Sequence, residues 1–154
     1  MRRYGEPVRP GIAYRRRLGA YAIVRDGNDL LVAEQRSPVP EYLLPGGGLE
    51  TGESPVPAVH RECLEETGWR IRIVRRLGVF QRFTYIPDER IWVLKICLVY
   101  LARPTLRLGA PSEPDHRALW MPLETAAILL ANEGDRSFVA GLARPTPATP
   151  ARRR

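Results

Sequence analysis

Ser54, Pro55 and Gly68 bracket a helix. Ser54 is a residue type that caps helix N-termini, Pro55 suits the first helical position, and Gly68 lies where a helix ending at Thr67 needs a left-handed cap. On a helix over Ser54 to Thr67 each residue advances about 100 degrees, so Glu62, Glu65 and Glu66, at i, i+3 and i+4, share one arc. Val56, Val59 and Cys63 fall on an adjoining arc, expected to pack on a sheet and leave the carboxylates at the edge of a cleft. Just before the helix, Pro45 and the run Gly46, Gly47 and Gly48 predict a special loop, where the backbone takes conformations closed to other residues.

The segments around this helix predict a mixed α/β domain. Leu18 to Val24 and Leu30 to Ala33 are strand-like and separated by the turn cluster Asp26 to Asp29, which predicts a hairpin, and Tyr42 to Leu44 is a short extended piece. Trp69 to Val74, Val79 to Thr84 and Trp92 to Ala102 are rich in β-branched and aromatic residues, with a Pro-Asp turn signal within Ile86 to Arg90. Ala118 to Met121 adds a short strand, and Leu123 to Ala131 and Phe138 to Leu142 have helical apolar spacing. Strands, helix, strands, helix is the order of a mixed α/β fold. Residues 1–17 are expected to be a flexible basic segment, residues 18–144 the folded domain, and residues 145–154 a disordered basic tail rich in Pro, Thr, Ala and Arg.

Composition narrows the function. A chain of 154 residues with 44% apolar and 27% charged residues has ordinary globular composition and is expected to be a soluble protein with one core. Neither a bilayer-spanning apolar run nor a secretory leader is visible, and Cys63 and Cys97 form no CxxC pair, so a reducing cytoplasm fits best. The net charge of +7 raises nucleic acid as a ligand, but Arg2, Arg3, Arg15, Arg16, Arg17, Arg152, Arg153 and Arg154 sit near the two ends, so much of the excess is peripheral and argues against that role. Lys95 is the only lysine, a bias better explained by codon usage than by function.

Three carboxylates on one arc repel one another and raise one another's pKa unless a cation neutralises them. Taken alone they would more often be a solvated helix face. With oxygen donors in the majority and Cys63 turned to the core, the cluster favours Mg²⁺ or Mn²⁺ over Zn²⁺. His60, one turn before Cys63, is a poor candidate for a ligand or base.

The surrounding residues carry more than the acids do. Gly47, Glu53, Arg61, Glu62, Cys63, Glu65, Glu66, Gly68 and Trp69 meet all nine positions of G-x5-E-x7-R-E-U-x-E-E-x-G-U over 23 residues, with Cys63 accepted as the apolar U. On this motif the chain resembles the Nudix hydrolase family, most simply its MutT-like members. A looser resemblance extends over Leu18 to Leu142, including Leu119 to Pro122, similar to a late strand of these enzymes. The resemblance implies a Nudix fold, with a mixed β-sheet sandwiched between helices. It also implies that Glu62, Glu65 and Glu66 bind Mg²⁺ or Mn²⁺ together with the carbonyl of Gly47 or a neighbour, while Glu53 and Arg61 form a structural ion pair and Gly68 completes the motif. The implied reaction is attack of a metal-activated water on a diphosphate within a nucleoside diphosphate derivative: a nucleoside triphosphate, a dinucleoside polyphosphate or a nucleotide sugar.

Outside the motif the sequence yields candidates rather than a pattern. Glu113 and Asp115, in a Pro-rich loop, are candidates for a late acid that helps bind metal or takes a proton, with Glu62 as the base otherwise. Arg36 and Arg82 are candidate phosphate contacts, and Tyr85 and Trp92 candidate base-stacking residues that suit cross-strand packing equally well. Family members are often homodimers, and Trp92 to Val99 would supply an apolar face for one. A catalytically silent nucleotide-binding regulator with this fold is the main alternative, followed by a nucleic-acid-binding protein.

Overall fold

A computed structural model of the chain describes residues 1–143. The tail expected at 145–154 lies outside the described residues.

The chain runs β1 (Arg2–Gly5), β2 (Tyr14–Asp26), β3 (Asp29–Gln35), β4 (Glu41–Leu43), β5 (Gly46–Gly48), α1 (Pro55–Thr67), β6 (Trp69–Ile86), β7 (Ile91–Arg107), β8 (His116–Pro122), α2 (Leu123–Leu129) and α3 (Glu133–Ala143). The sheet order is β1-β6-β7-β2-β3-β4, with β5 on β2 and β8 on β3. β1–β6 and β2–β7 are parallel and the other pairs antiparallel, so the sheet is mixed.

Alternation along the strands builds two cores. Ala20, Ala22 and Val24 of β2 face Ala58, Val59 and Cys63 of α1 on one side. Ile23, with Leu30 and Val32 of β3 and Phe80 of β6, faces Leu123, Ala126 and Val139 of α2 and α3 on the other. The expected sandwich of a sheet between helices is therefore the fold observed. Both cysteines are buried and unpaired.

Several local expectations are corrected. Residues 1–17, expected to be flexible, contain β1, in register with Phe80–Phe83, and the first residues of β2, in register with Trp92–Lys95. Backbone pairing builds these two strand segments although their side chains show no apolar period. The triple glycine is a short strand paired with Gly19–Tyr21, not a loop. The two strands expected at Trp69 to Val74 and Val79 to Thr84 are one, because register shifts at Ile73/Arg75 and Arg76/Gly78 absorb the break without ending the ladder.

The helix begins at Ser54 with extended backbone but no side-chain capping bond, so Pro55 carries the start. Val56 remains 39% exposed, because its angular position does not bury a residue in the first turn. The dimer face imagined at Trp92 to Val99 is spent inside the chain: Val93, Ile96, Cys97, Leu98 and Val99 are core residues.

Candidate active site

Gly47 is where the acidic helix meets the sheet. A Cβ there would stand 2.7 Å from Oε1 of Glu62, so with glycine at this position β5 passes close to the carboxylate without displacing it. The neighbouring Gly46 donates its N–H to Oε1 of Glu66 at 3.2 Å. The two carboxylates thus meet one strand from one helix.

Arg61 fixes the frame. Its Nε and Nη2 donate to Glu53 at 2.9 Å each, a two-pronged grip that pulls the Glu53 carboxyl down to about 2. The remaining Nη1 reaches Glu62 at 3.1 Å and Glu65 at 3.3 Å, and Nη2 also donates to the Gly48 carbonyl at 3.3 Å. One guanidinium therefore joins the segment before the helix, β5 and two of the three clustered acids.

Glu66 is the exception. It is only 5% exposed and Arg61 does not reach it. Burial, foremost, and then Glu62 and Glu113 push its carboxyl well above the usual carboxylate range, against the opposing Gly46 N–H. One charge-assisted hydrogen bond contributes about 1.5–3 kcal/mol, whereas an uncompensated buried carboxylate costs several. The ionised form therefore calls for a cation.

The loop from Leu108 to Asp115 closes one wall. Gly68 takes the left-handed cap conformation, and its carbonyl accepts from the Leu108 N–H at 2.8 Å. A Cβ on Gly68 would collide with the Gly109 carbonyl at 2.0 Å, so this position admits only glycine. The Glu113 N–H donates to the Glu65 carbonyl at 2.9 Å, which holds Glu113 at the acidic cluster. Asp115 is turned elsewhere: its carboxylate accepts from the Ser37 N–H at 2.7 Å and hydroxyl at 3.3 Å and so anchors the loop. His116, which sequence reasoning passed over, has Nε2 3.7 Å from Oε2 of Glu66 and Nδ1 against the Pro114 carbonyl. A lone histidine after a Pro-rich loop carries no sequence signal; only β8 brings it here.

Among the described residues no three acidic, histidine or cysteine side chains surround one point. Glu62 and Glu65 lean on Arg61, while Glu66 turns to Gly46 and His116. The donor set nonetheless suits a hard divalent ion: carboxylate oxygens predominate, and one of them is buried without a full counter-charge.

The other expected residues scatter. Arg36 is exposed and shares a cavity of about 540 Å³ with Thr67, Pro111 and His116. Tyr85 and Trp92 face each other across β6 and β7 with ring centroids 5.2 Å apart, and Trp92 also packs on Tyr14 and under Arg9. Arg82 lies on the α2/α3 face opposite Lys95. His60 is exposed. Asp135 on α3 was also missed: it is 3% exposed, its Oδ1 has no partner, and burial pushes its carboxyl up to about 7.

Comparison with known proteins agrees with this architecture. A model described as the NUDIX domain matches residues 15–142. The putative 8-oxo-dGTP diphosphatase of Bacillus subtilis (strain 168) is 35% identical over 74 residues, 48% of this chain and 50% of that protein. An RNA pyrophosphohydrolase of Cereibacter sphaeroides is 45% identical over 93 residues, 55% of this chain and 56% of that protein. The chain spans about half the length of these curated relatives. Among solved structures, a NUDIX hydrolase from Nitrosomonas europaea superposes with a TM-score of 0.70 at 17% identity, covering 84% of this chain and 89% of that one. A MutT protein from Methanosarcina mazei Go1 gives 0.66 at 21%, covering 87% and 97%. At such identities these two likenesses speak to the fold alone.

Proposed function

The chain belongs to the Nudix family, and on that premise we propose that it hydrolyses a diphosphate linkage in a nucleoside diphosphate derivative with the help of Mg²⁺ or Mn²⁺. The observation that carries this reading is the buried Glu66, packed beside Glu62 against Gly46 and Gly47 and lacking a full counter-charge. The relatives' names, a diphosphatase and a pyrophosphohydrolase, support the reaction class.

Glu66, Glu62 and Glu65, with the Gly47 carbonyl, are the groups that would hold the cation. When bound there, it would supply charge neutralisation at the phosphates and activation of a water molecule. The protein's own part is positioning. Arg61, held by Glu53, keeps Glu62 and Glu65 from splaying apart, and Gly47 leaves room for a phosphate-bearing ligand to approach the backbone. Glu113, whose backbone N–H donates to the Glu65 carbonyl, would be the loop acid that accepts a proton from the attacking water, with Glu62 the motif residue that would otherwise do so. Asp115 does not compete for that role, because Ser37 occupies its carboxylate. Arg36, beside His116, is the candidate contact for an outer phosphate.

The test is a phosphate-release screen over nucleoside triphosphates, dinucleoside polyphosphates and nucleotide sugars with Mg²⁺, run in H₂¹⁸O with mass analysis of the products. Cleavage at a diphosphate, with ¹⁸O on one phosphorus, is expected. Nucleotide binding without cleavage across the panel would instead identify a silent Nudix-fold regulator.

A further inference from the structure

Three cations stand in one row across the sheet. Arg82 of β6 lies opposite Lys95 of β7, and Lys95 lies opposite Arg17 of β2. Neighbouring strands are about 5 Å apart, so three side chains of one sign leave the same face side by side. That face also carries Phe80 and Cys97, under α2 and α3.

Such a row is costly. Like charges directly opposite one another destabilise a sheet, and all three residues are half-buried. Desolvation, foremost, and then Arg82 and Arg17 press the Lys95 ammonium below its ordinary pKa. Among the described residues no carboxylate forms an ion pair with Lys95 or Arg82. Asp135 lies near enough to Arg82 for the guanidinium to favour its ionised form, but burial opposes this and pushes its carboxyl up to about 7.

Arg17 alone has a partner. Glu89, in the turn between β6 and β7, accepts from Nη1 at 3.0 Å and from Nη2 through its second oxygen. Two oxygens of one anion gripped by both prongs of a guanidinium is also how arginine holds a phosphate. Arg17, Gly19, Tyr21, Gly48, Ile86 and Lys95 line a cavity of about 140 Å³ here. It opens beside Gly48, next to the glycine that touches Glu62. Gly47 pairs with Ala20, whose backbone lies three residues, about 10 Å, along β2 from Arg17, so the Arg17 end of the row is the end nearest the glycine strand that meets the acids.

We propose that Arg17, Lys95 and Arg82 form a subsite for a second phosphate group of the substrate, separate from the diphosphate that is cut, and that Glu89 fills it until that group arrives. The catalytic part of this statement rests on the reading of the acidic cluster given above; the affinity of the row for an anion does not. The substrate class is thereby narrowed to nucleoside diphosphate derivatives bearing a further phosphate ester, as monoester or diester.

Two measurements keep the two ideas apart. In the first, metal-free protein is titrated calorimetrically with inorganic pyrophosphate, with Lys95→Met, Arg17→Gln and Glu89→Gln beside the wild type and circular dichroism to confirm folding. Wild-type binding is expected, at least fivefold weaker in Lys95→Met and in Arg17→Gln and about fivefold tighter in Glu89→Gln. Binding that is absent throughout, or the same in all folded variants, overturns the subsite. In the second, KM with Mg²⁺ is compared for ADP-ribose against its 2′-phosphate and for a nucleoside triphosphate against a 5′-triphosphorylated dinucleotide. About a tenfold lower KM for one phosphate-bearing member, lost in Lys95→Met, is expected, and the pair that responds tells monoester from diester. Turnover with no preference in either pair overturns the subsite. Absence of any turnover, with pyrophosphate binding as expected, leaves the subsite standing and refutes the hydrolytic reading instead.

Discussion

The acidic cluster takes Glu62, Glu65 and Glu66 from a single helix, whereas the basic row takes Arg17, Lys95 and Arg82 from three strands. In the acidic cluster the spacing along one helix crowds the charges whatever the tertiary fold, and a neighbour on the same helix, Arg61, restrains two of them. In the basic row the crowding exists only because the sheet registers align, and a slip of one residue in β7 would turn Lys95 to the α1 face. Charge brought together by a helix is visible in a sequence. Charge brought together by register is not.

The sharpest way to break this contrast is to remove one charge from the acidic cluster. Glu66→Gln is expected to lower kcat by about 10³-fold while keeping the fold, since it removes a ligand charge and preserves shape. Near-normal kcat in a folded variant would reduce Glu66 to a packing residue.

Next in size is Arg61→Ala, which strands Glu53 and loosens Glu62 and Glu65 together. A drop of at least tenfold in kcat and of several degrees in Tm is expected, and kinetics beside thermal melts would show it. A loss of Tm without loss of kcat would separate the frame from the chemistry.

A smaller effect is expected at Asp135, between the helices and the basic row. Its folded pKa of about 7 exceeds its ordinary 3.8, so the folded state holds the proton more tightly and stability falls as pH rises through that window. Asp135→Asn should therefore raise Tm by a few degrees at pH 8 and have little effect at pH 4. An equal shift at both pH values would show that ionisation is not the cause.

The smallest effect is expected from Tyr85→Ala, at the aromatic cluster of Tyr85, Trp92 and Tyr14. Here kcat and KM should change less than about threefold. A KM raised tenfold or more would return Tyr85 to the substrate side.

What could be read from the sequence follows the same division. Ser54, Pro55 and Gly68 marked the helix to within a residue, because caps act locally. The acids and their glycine neighbour also lay within 23 residues of chain. β1, by contrast, has no apolar period and exists by pairing with Phe80–Phe83. Glu113 and Asp115 were equivalent loop acids until the fold set one against Glu65 and spent the other on Ser37. His116 and Lys95 carried no pattern at all, since their neighbours come from elements far away in the chain.

The central claim, that the acids of α1 hold a divalent ion for hydrolysis, is tested most directly by titrating Mn²⁺ into the wild type and Glu66→Gln and following free Mn²⁺ by electron paramagnetic resonance. The wild type should bind Mn²⁺ with an affinity at least tenfold above that of the variant, and Mg²⁺ should compete for the site. Equal binding by both proteins, or none by either in the presence of a nucleotide, would contradict it.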